Sequence, residues 1–473
     1  MRTIAFHNLG CKVNSYETDY MEQKSLEKGY KIVEFEQKAD VYIVNTCSVT
    51  NIADRKSRQM LHKAKKQNPD SVVVAVGCFV QTNPEEAAKD DAVDIIVGNN
   101  KKRDIFEILD EYFAKKESKK SAESKSSFAD IKNCGYEEMK VKGSKERCRV
   151  FVKIQDGCDR YCTYCIIPYA RGNIRSRKPE DAIEEIKKIA ENGYREVVIT
   201  GIHLSSYGKD FLNKKTTKKT DENISRAGEA NKKTDGGEYS ENSDYLYELL
   251  KEINKIEGID RIRIGSFEPM ILTEDFVSKL STIDKLCPHF HISLQSGCDS
   301  VLKRMNRHYD TDKFYEKTIL LRKFFPGCAL TTDVIAGFPG ETKEEFEETY
   351  EYLKKIKFFE THIFPYSRRK GTIADKMSGQ LTMNEKKERV AKLLELDAKQ
   401  SREYRESKLG EEKNIIIEEE KTIGGEKYFV GHTPEYIFVA LPYDKKTKDL
   451  IGRTVKVVLE EMLNDETVLG RMI

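Results

Sequence analysis

No tryptophan occurs in the 473 residues, and neither sign of charge dominates, with 82 Lys+Arg against 80 Asp+Glu. No apolar run reaches the roughly 18 residues that a membrane-spanning helix needs. Each absence narrows the field. The missing apolar run excludes a transmembrane helix. The balanced charge removes global electrostatics as a sign of nucleic-acid binding, so any RNA contact must come from local patches. Without tryptophan, stacking on a cofactor or base falls to the other rings, 23 Tyr and 21 Phe among them. The opening stretch MRTIAFHNLGCKVN has neither the apolar core nor the small-residue cleavage site of a signal peptide. The expectation is a cytoplasmic protein without a membrane anchor. What the chain does have is cysteine. Eleven cysteines in a reducing compartment point to metal or catalysis ahead of disulfides.

The length suggests about three domains. Residues 1–115 alternate short apolar strands (3–9, 41–46, 72–77, 94–98) with helices (14–28, 50–67, 84–89, 101–115). This pattern predicts a doubly wound α/β domain on a parallel sheet. Residues 116–147, rich in Lys, Ser and Glu, read as a partly mobile linker. From 148 to 380 the alternation resumes with six strand–helix units, predicting a partial or complete (β/α)6 barrel. The polar stretch 209–243 interrupts it and reads as a disordered surface insertion. A connecting helix is expected over 381–410. Five short strand candidates in 411–473 predict a small β-barrel, an architecture often used on RNA. Residues 385–473 hold 17 Lys+Arg and 19 Asp+Glu, so the composition of this part does not itself argue for RNA.

The densest chemical signal is Cys158-Asp159-Arg160-Tyr161-Cys162-Thr163-Tyr164-Cys165. Three soft thiolates in one tight turn suit zinc, copper(I) or an iron–sulfur cluster. A structural zinc site wants four ligands, and the loop has no nearby fourth; His203 and Cys287 are the next candidates downstream. Three cysteines on a four-iron cluster leave one iron open to bind a small molecule. A zinc knuckle completed from afar, or a thiol–disulfide pair at Cys162 and Cys165, are the competing readings. Cys11, Cys47 and Cys78 each follow a predicted strand of the first domain, at the sheet edge where open α/β folds place ligands. Their convergence suggests a second cluster, against the simpler reading that each is a small buried hydrophobe. Cys134 and Cys148 carry no ligand spacing. Cys287, Cys298 and Cys328 read as buried structural residues.

Polar or small residues end several barrel strands. Thr200, Gly201, Glu268, Ser293, Gln295, Asp333 and Gly337 are expected to contact a nucleoside-like cofactor at the barrel mouth. Tyr164 is a candidate to lie against its adenine ring. Arg171, Arg175, Arg177 and Lys178 form the basic patch nearest the cysteine loop and are the candidate RNA contacts.

GCKVNSYET, NTCSVTNIADRKSRQ, VGCFVQ and GCDRYCTYCIIPYARGNIRSR together resemble the methylthiotransferases of the radical S-adenosylmethionine (SAM) superfamily. The resemblance spans most of the chain and implies an N-terminal three-cysteine domain, a radical SAM barrel and a C-terminal domain of the TRAM type. It also implies two [4Fe-4S] clusters. One is on Cys158, Cys162 and Cys165 and cleaves SAM to a 5′-deoxyadenosyl radical; an auxiliary one is on Cys11, Cys47 and Cys78. An external electron donor and the anticodon loop of tRNA are the implied partners. Within the family, GCKVN with NTCSVT and CIIPYARG looks most like the subgroup acting on N6-threonylcarbamoyladenosine in tRNA, whereas the isopentenyladenosine subgroup tends to carry Gln-Met where this chain has Lys12-Val13. The subgroup acting on isopentenyladenosine, a relative acting on a ribosomal protein side chain, and a non-catalytic zinc-binding RNA module are the alternatives.

Overall fold

The computed structural model describes residues 1–118, 125–144, 148–212, 235–443 and 450–473. The first domain is built on six parallel strands, β1 (Thr3–Asn8), β2 (Lys31–Ile32), β3 (Val41–Thr46), β4 (Val72–Gly77), β5 (Ile95–Val97) and β6 (Lys125–Ser127), in spatial order 2-1-3-4-5-6. The runs VYIVNT and VVVAVG are buried at every position. Helices therefore cover both faces, as an all-parallel sheet requires. Its switch in strand order falls between β1 and β3, the crevice where such sheets bind ligands.

The second domain supplies β7 (Arg149–Asp156), the short antiparallel β8 (Arg175–Ser176), β9 (Glu196–Gly201), β10 (Arg261–Ile264), β11 (His289–His291), β12 (Ala329–Ala336) and β13 (Glu360–Pro365). Strands β7, β9 and β10 pair in parallel, as do β11, β12 and β13. Bridges Ile262–Leu286 and Phe267–Ile292 join the two groups. The result is an open six-stranded partial barrel in the predicted strand order. A 24-residue helix, Met383–Glu406, opened by a Thr382–Glu385 capping box, leads to the third domain. There β14 (Glu412–Ile423), β15 (Glu426–His432), β16 (Phe438–Pro442), β17 (Thr454–Met462) and β18 (Thr467–Met472) close a five-stranded barrel. It docks on the second domain through Arg261, whose guanidinium donates to the Asn414 and His432 carbonyls, and Arg263, which donates to that of Pro434.

Helix Lys12–Glu27 joins the first two domains. It packs on its own sheet and also on β7 and β9. Both faces are covered, so Asn14, Glu17 and Thr18 are buried along with Val13, Tyr16 and Met21. Glu17 accepts from Lys153 of β7 at 3.0 Å and from Arg171 at 2.9 Å, and it pairs with Lys102. Asp156 completes this buried network with Lys153 at 3.2 Å.

Two expectations are corrected. The described residues of the linker, 116–118 and 125–144, include built structure: Lys125–Ser127 adds the sixth strand, and Met139 and Val141 are buried between the domains. The Tyr16 hydroxyl donates to the Met139 carbonyl, and the Val141 amide donates to Glu185 at 2.5 Å. Backbone hydrogen bonding rather than apolar periodicity holds it, which is why its composition resembles a linker. Of the predicted insertion 209–243, residues 213–234 lie outside the described residues, but its end is the start of helix Asp235–Asn254. Asn242 anchors that end by donating to the Ser205 carbonyl at 2.7 Å.

Candidate active site

The cysteine loop leaves β7 through Gly157, whose φ is +74° and where a Cβ would sit 1.9 Å from the Asn173 carbonyl oxygen. Only glycine fits this turn. The loop is then pinned to the segment after helix Asp299–Arg304. The Thr163 amide donates to the Met305 carbonyl at 3.1 Å, the Thr163 hydroxyl to that of Arg304 at 2.9 Å. Tyr161 in the same loop has φ +48°, and Gln295 across the site has φ +74°. Left-handed backbone at bulky residues is stored strain of the kind that gathers at functional sites.

Cys158, Cys162 and Cys165 line a cavity of about 360 Å³ at the barrel mouth. Burial pushes the Cys158 and Cys165 thiols up to about 12, and their neighbouring cysteines push the same way. Such thiols become thiolates when a metal centre replaces their protons. The Arg307 guanidinium donates to the Cys162 sulfur at 3.1 Å, the outer hydrogen bond that tunes a cluster ligand. Of the predicted cofactor contacts, Tyr164, Glu268, Ser293, Gln295 and Asp333 line this cavity. Thr200, Gly201 and Gly337 do not. Thr200 is buried, and the bare Cα of Gly201 makes room for Gln155, that of Gly337 for Lys386. Sequence reasoning missed Arg160 and Arg307, and raised His203 only as a candidate fourth metal ligand. Arg160, His203 and Arg307 surround Glu268 at 2.8, 2.9 and 3.8 Å. Burial alone would raise the Glu268 carboxyl, but the His203 hydrogen bond and these charges outweigh it and hold it well below the usual carboxylate range. The one signal for them was position: Arg160 inside the cysteine motif, His203 just past the end of β9 and Arg307 just after helix Asp299–Arg304.

The second thiol set forms as its strand ends meet. Cys11 caps helix Lys12–Glu27 after β1, Cys47 follows β3, and Cys78 opens a short helix, Cys78–Thr82, after β4. These are three adjacent strands of the sheet. A Cβ on Gly10 would lie 3.0 Å from the Cys47 sulfur. Burial raises Cys47 to about 12, with Cys78 and Cys11 adding to the rise and Arg171 opposing it. Asn99 links this set to the barrel, approaching the Cys78 sulfur at 3.5 Å and donating to the Ala170 carbonyl at 2.8 Å. Across the cleft, Arg369 donates to the Ser48 hydroxyl at 2.6 Å, next to Cys47, and pairs with Asp54 at 2.6 Å. Asn99 and Arg369 thus tie the surroundings of this set to the barrel, and Val49 and Thr50, just after Cys47, reach from the first domain into the wall of the cavity.

The candidate RNA patch is corrected. Arg171, Arg175 and Arg177 are buried, and only Lys178 is exposed. Arg177 pairs with Glu138 and Glu185, while Arg171 and Arg175 face Asp156. Three arginines close to acidic partners from other elements cannot present themselves to phosphate. Cys287, Cys298 and Cys328 are buried as expected. Cys148 lies 3.3 Å from the Glu418 carbonyl oxygen, and Cys134 lies 3.7 Å from that of Ile131.

A model of the radical SAM superfamily matches residues 152–353, and one of an uncharacterized protein family, UPF0004, matches residues 3–98. The threonylcarbamoyladenosine tRNA methylthiotransferase MtaB of Bacillus subtilis (strain 168) is 42% identical over 460 residues, which is 97% of this chain and 93% of that protein. The chain belongs to the radical SAM methylthiotransferases. Another relative of this family, a tRNA-2-methylthio-N(6)-dimethylallyladenosine synthase of Clostridium botulinum (strain Hall / ATCC 3502 / NCTC 13319 / Type A), is 33% identical over 95% of this chain and 92% of its own. The fold is shared with the radical SAM methyltransferase TsrM from Kitasatospora setae, solved with tryptophan substrate and a SAM analog bound, at a TM-score of 0.51 and 12% identity over 77% of this chain and 73% of that one.

The thiol sets of this methylthiotransferase can be tested against a single zinc ion. Tetrahedral zinc at about 2.3 Å from each sulfur draws its sulfurs to roughly 3.8 Å from one another. Among the described residues, the only three ligand-type side chains whose donor atoms all lie within 4.8 Å are His291, Asp333 and His362. Neither thiol set is that tight, which fits thiolates spread over the corners of a larger iron–sulfur core. Gly10 gives a local test. Gly10→Ala places a methyl group against the Cys47 sulfur at a backbone φ of +107°. It is expected to lower iron bound by the first domain while Cys158, Cys162 and Cys165 keep theirs. Iron per chain after anaerobic reconstitution measures this, and full wild-type iron would contradict it.

Proposed function

We propose that this chain is the enzyme that places a methylthio group on carbon 2 of N6-threonylcarbamoyladenosine in tRNA, next to the anticodon. The feature that carries the reading is the presence of two separate three-thiol sets, one lining the cavity at the barrel mouth and one at three adjacent strand ends of the domain whose Val49 and Thr50 line that same cavity. It occurs in a chain 42% identical, over nearly its full length, to a protein named for this activity. The relative named for dimethylallyladenosine is more distant, at 33%, which favours the threonylcarbamoyl nucleoside.

Two four-iron clusters and SAM, when bound, supply the electron transfer, radical, sulfur and methyl chemistry that no side chain can perform at an unactivated adenine carbon. The chain's own residues place and insulate that chemistry. Cys158, Cys162 and Cys165 hold one cluster, and Cys11, Cys47 and Cys78 the other. Arg307 fixes the Cys162 sulfur and braces Glu268, whose ionised carboxylate offers a fixed anion to a cationic group of the cofactor. Tyr164 gives the cavity an apolar wall together with Ile335 and Tyr366. Val49 and Thr50 close it from the opposite domain, which excludes water from a site where reactive species would otherwise be quenched. The base must be splayed from the anticodon loop to enter. The electron comes from an external donor in the cytoplasm.

Nucleoside mass spectrometry of tRNA from a strain lacking this chain, with and without complementation, tests the reading. The expected result is loss of 2-methylthio-N6-threonylcarbamoyladenosine with accumulation of its unmethylthiolated precursor. An unchanged level of the methylthio product would overturn it.

A further inference from the structure

The partial barrel has two edges. Its parallel strands run β7, β9, β10, β11, β12, β13 in space, so β7, extended by the two-residue β8, ends the order on one side and β13 on the other. The first domain is tied to both edges. At β7 the tie is the buried network of Glu17 with Lys153 and Arg171. Past β13 it is a clasp built on Arg369. Arg368 and Lys370 on either side are exposed, whereas Arg369 is turned inward and only 5% exposed. One terminal nitrogen of its guanidinium donates to the Asn51 side-chain oxygen at 2.8 Å and pairs with Asp54 at 2.6 Å. The other donates to the Ser48 hydroxyl at 2.6 Å. Two residues earlier, the Ser367 hydroxyl accepts from the Asn51 amide at 3.0 Å. Both halves of the clasp belong to segments that also carry the site. Phe364, Pro365, Tyr366 and Ser367 line the cavity of the second cysteine set from the barrel side, and Val49 and Thr50 line it from the first domain. Thr50 also caps helix Asn51–Gln67, accepting from the Ala53 amide at 3.1 Å. One turn on from Asp54, the Ser57 hydroxyl holds the backbone of Cys47. It accepts from the Cys47 amide and donates to the Cys47 carbonyl, each at 3.3 Å. The first turns of one helix therefore connect the Arg369 guanidinium to a thiol of the first set.

We propose that Arg369 is a positioning residue for the methylthio transfer: by clasping the start of helix Asn51–Gln67 to the end of β13, it fixes the placement of the Cys11, Cys47 and Cys78 set relative to the SAM cavity. This rests on the assignment of the two thiol sets to two clusters made above. The residue type fits the task. A planar guanidinium reaches three oxygens on two successive stretches of chain, whereas a lysine has one nitrogen and no fixed fork. The position fits as well. A domain held only at the β7 edge can hinge about that edge, and a small rotation there grows with distance toward β13. The reaction draws on groups held by two different domains, so it depends on the gap that such a rotation changes. SAM cleavage depends on the barrel thiols alone and does not. A misplacement of about 1 Å can cost about 100-fold in a step that needs aligned reactants.

The test compares wild type, Arg369→Met, Asp54→Ala and the double variant as full-length reconstituted holoenzymes on tRNA carrying N6-threonylcarbamoyladenosine. Iron per chain, 5′-deoxyadenosine and methylthio product are measured in the same samples. Arg369→Met is expected to keep its iron and its SAM cleavage close to wild type, while product formed per 5′-deoxyadenosine falls by about 10- to 100-fold. Asp54→Ala should lower the same ratio. The double variant should be no worse than Arg369→Met, because both changes open one clasp. Either single variant with the wild-type ratio overturns the proposal. So does an Arg369→Met protein whose product falls only in step with its iron or its 5′-deoxyadenosine, since that is the mark of a purely structural residue. A double variant whose loss is the product of the two single losses overturns it too, because the residues then act separately. In all these cases the cluster assignment stands, since wild type makes product. A wild type that cleaves SAM yet makes no methylthio product brings down the assignment and the clasp together.

Discussion

Replacing Cys158, Cys162 and Cys165 together with alanine is expected to leave about half of the roughly eight irons per chain that two four-iron clusters bring, and to abolish SAM cleavage. The complementary variant, with alanine at Cys11, Cys47 and Cys78, should hold the other half. It should still cleave SAM but form no methylthio product. The asymmetry follows from placement. The three barrel thiols share the cavity with Glu268, Arg307 and Tyr164, whereas the first-domain thiols sit at strand ends across the cleft. Among the described residues no side chain contacts both sets, and the two are joined through Asn99 and the segment around Ala170 and Arg171. Each variant should therefore fold around its remaining cluster. Iron analysis and anaerobic detection of 5′-deoxyadenosine read the two outcomes separately. A first variant with its full iron, or a second that still makes product, would refute the division of labour.

The parts of this site that could be read from sequence share one property: their partners are local. Cys158, Cys162 and Cys165 lie within eight residues, so their spacing alone fixes a turn. Cys11, Cys47 and Cys78 are far apart, yet each follows an apolar run long enough to be recognised as a buried strand, and sheet order then does the gathering. What could not be read depends on partners supplied by distant elements. Nothing near Arg171 in sequence says that Glu17, 154 positions away, will bury it. The same holds for Arg177 and Glu138, and three arginines in a row of motifs looked like a surface patch. Gly337 looked like a place for close cofactor approach, but its space is taken by Lys386 of the long helix. The strap through Met139 and Val141 went unseen because its order comes from hydrogen bonds to Tyr16 and Glu185.

Arg171→Met separates the buried role from the RNA-binding one that the sequence suggested. The guanidinium donates to Glu17 at 2.9 and 3.1 Å, to Asp156 at 3.2 Å and to Asn14 at 2.6 Å. It also tempers the rise of Cys47 and Cys11, opposing their burial. Removing one member of a buried ionic network while its partners stay behind costs about 3–5 kcal/mol. The variant should therefore melt markedly lower and lose iron from the first domain. The pH dependence carries the same signature. Burial would raise both Glu17 and Asp156, but Arg171 and Lys153, with Lys102 at Glu17 and Arg175 at Asp156, outweigh it and hold both carboxyls below their ordinary values. A depressed carboxyl contributes its stability in full above its unfolded pKa of about 4, and that contribution fades as the pH falls below it. The gap between wild type and variant should be widest near neutrality and shrink in acid. A surface phosphate contact would behave differently: the melting temperature would hold, while affinity for tRNA fell and its salt slope dropped by about one. That second pattern would return Arg171 to the RNA interface and would require the helix Lys12–Glu27 to sit elsewhere than between the two cysteine domains.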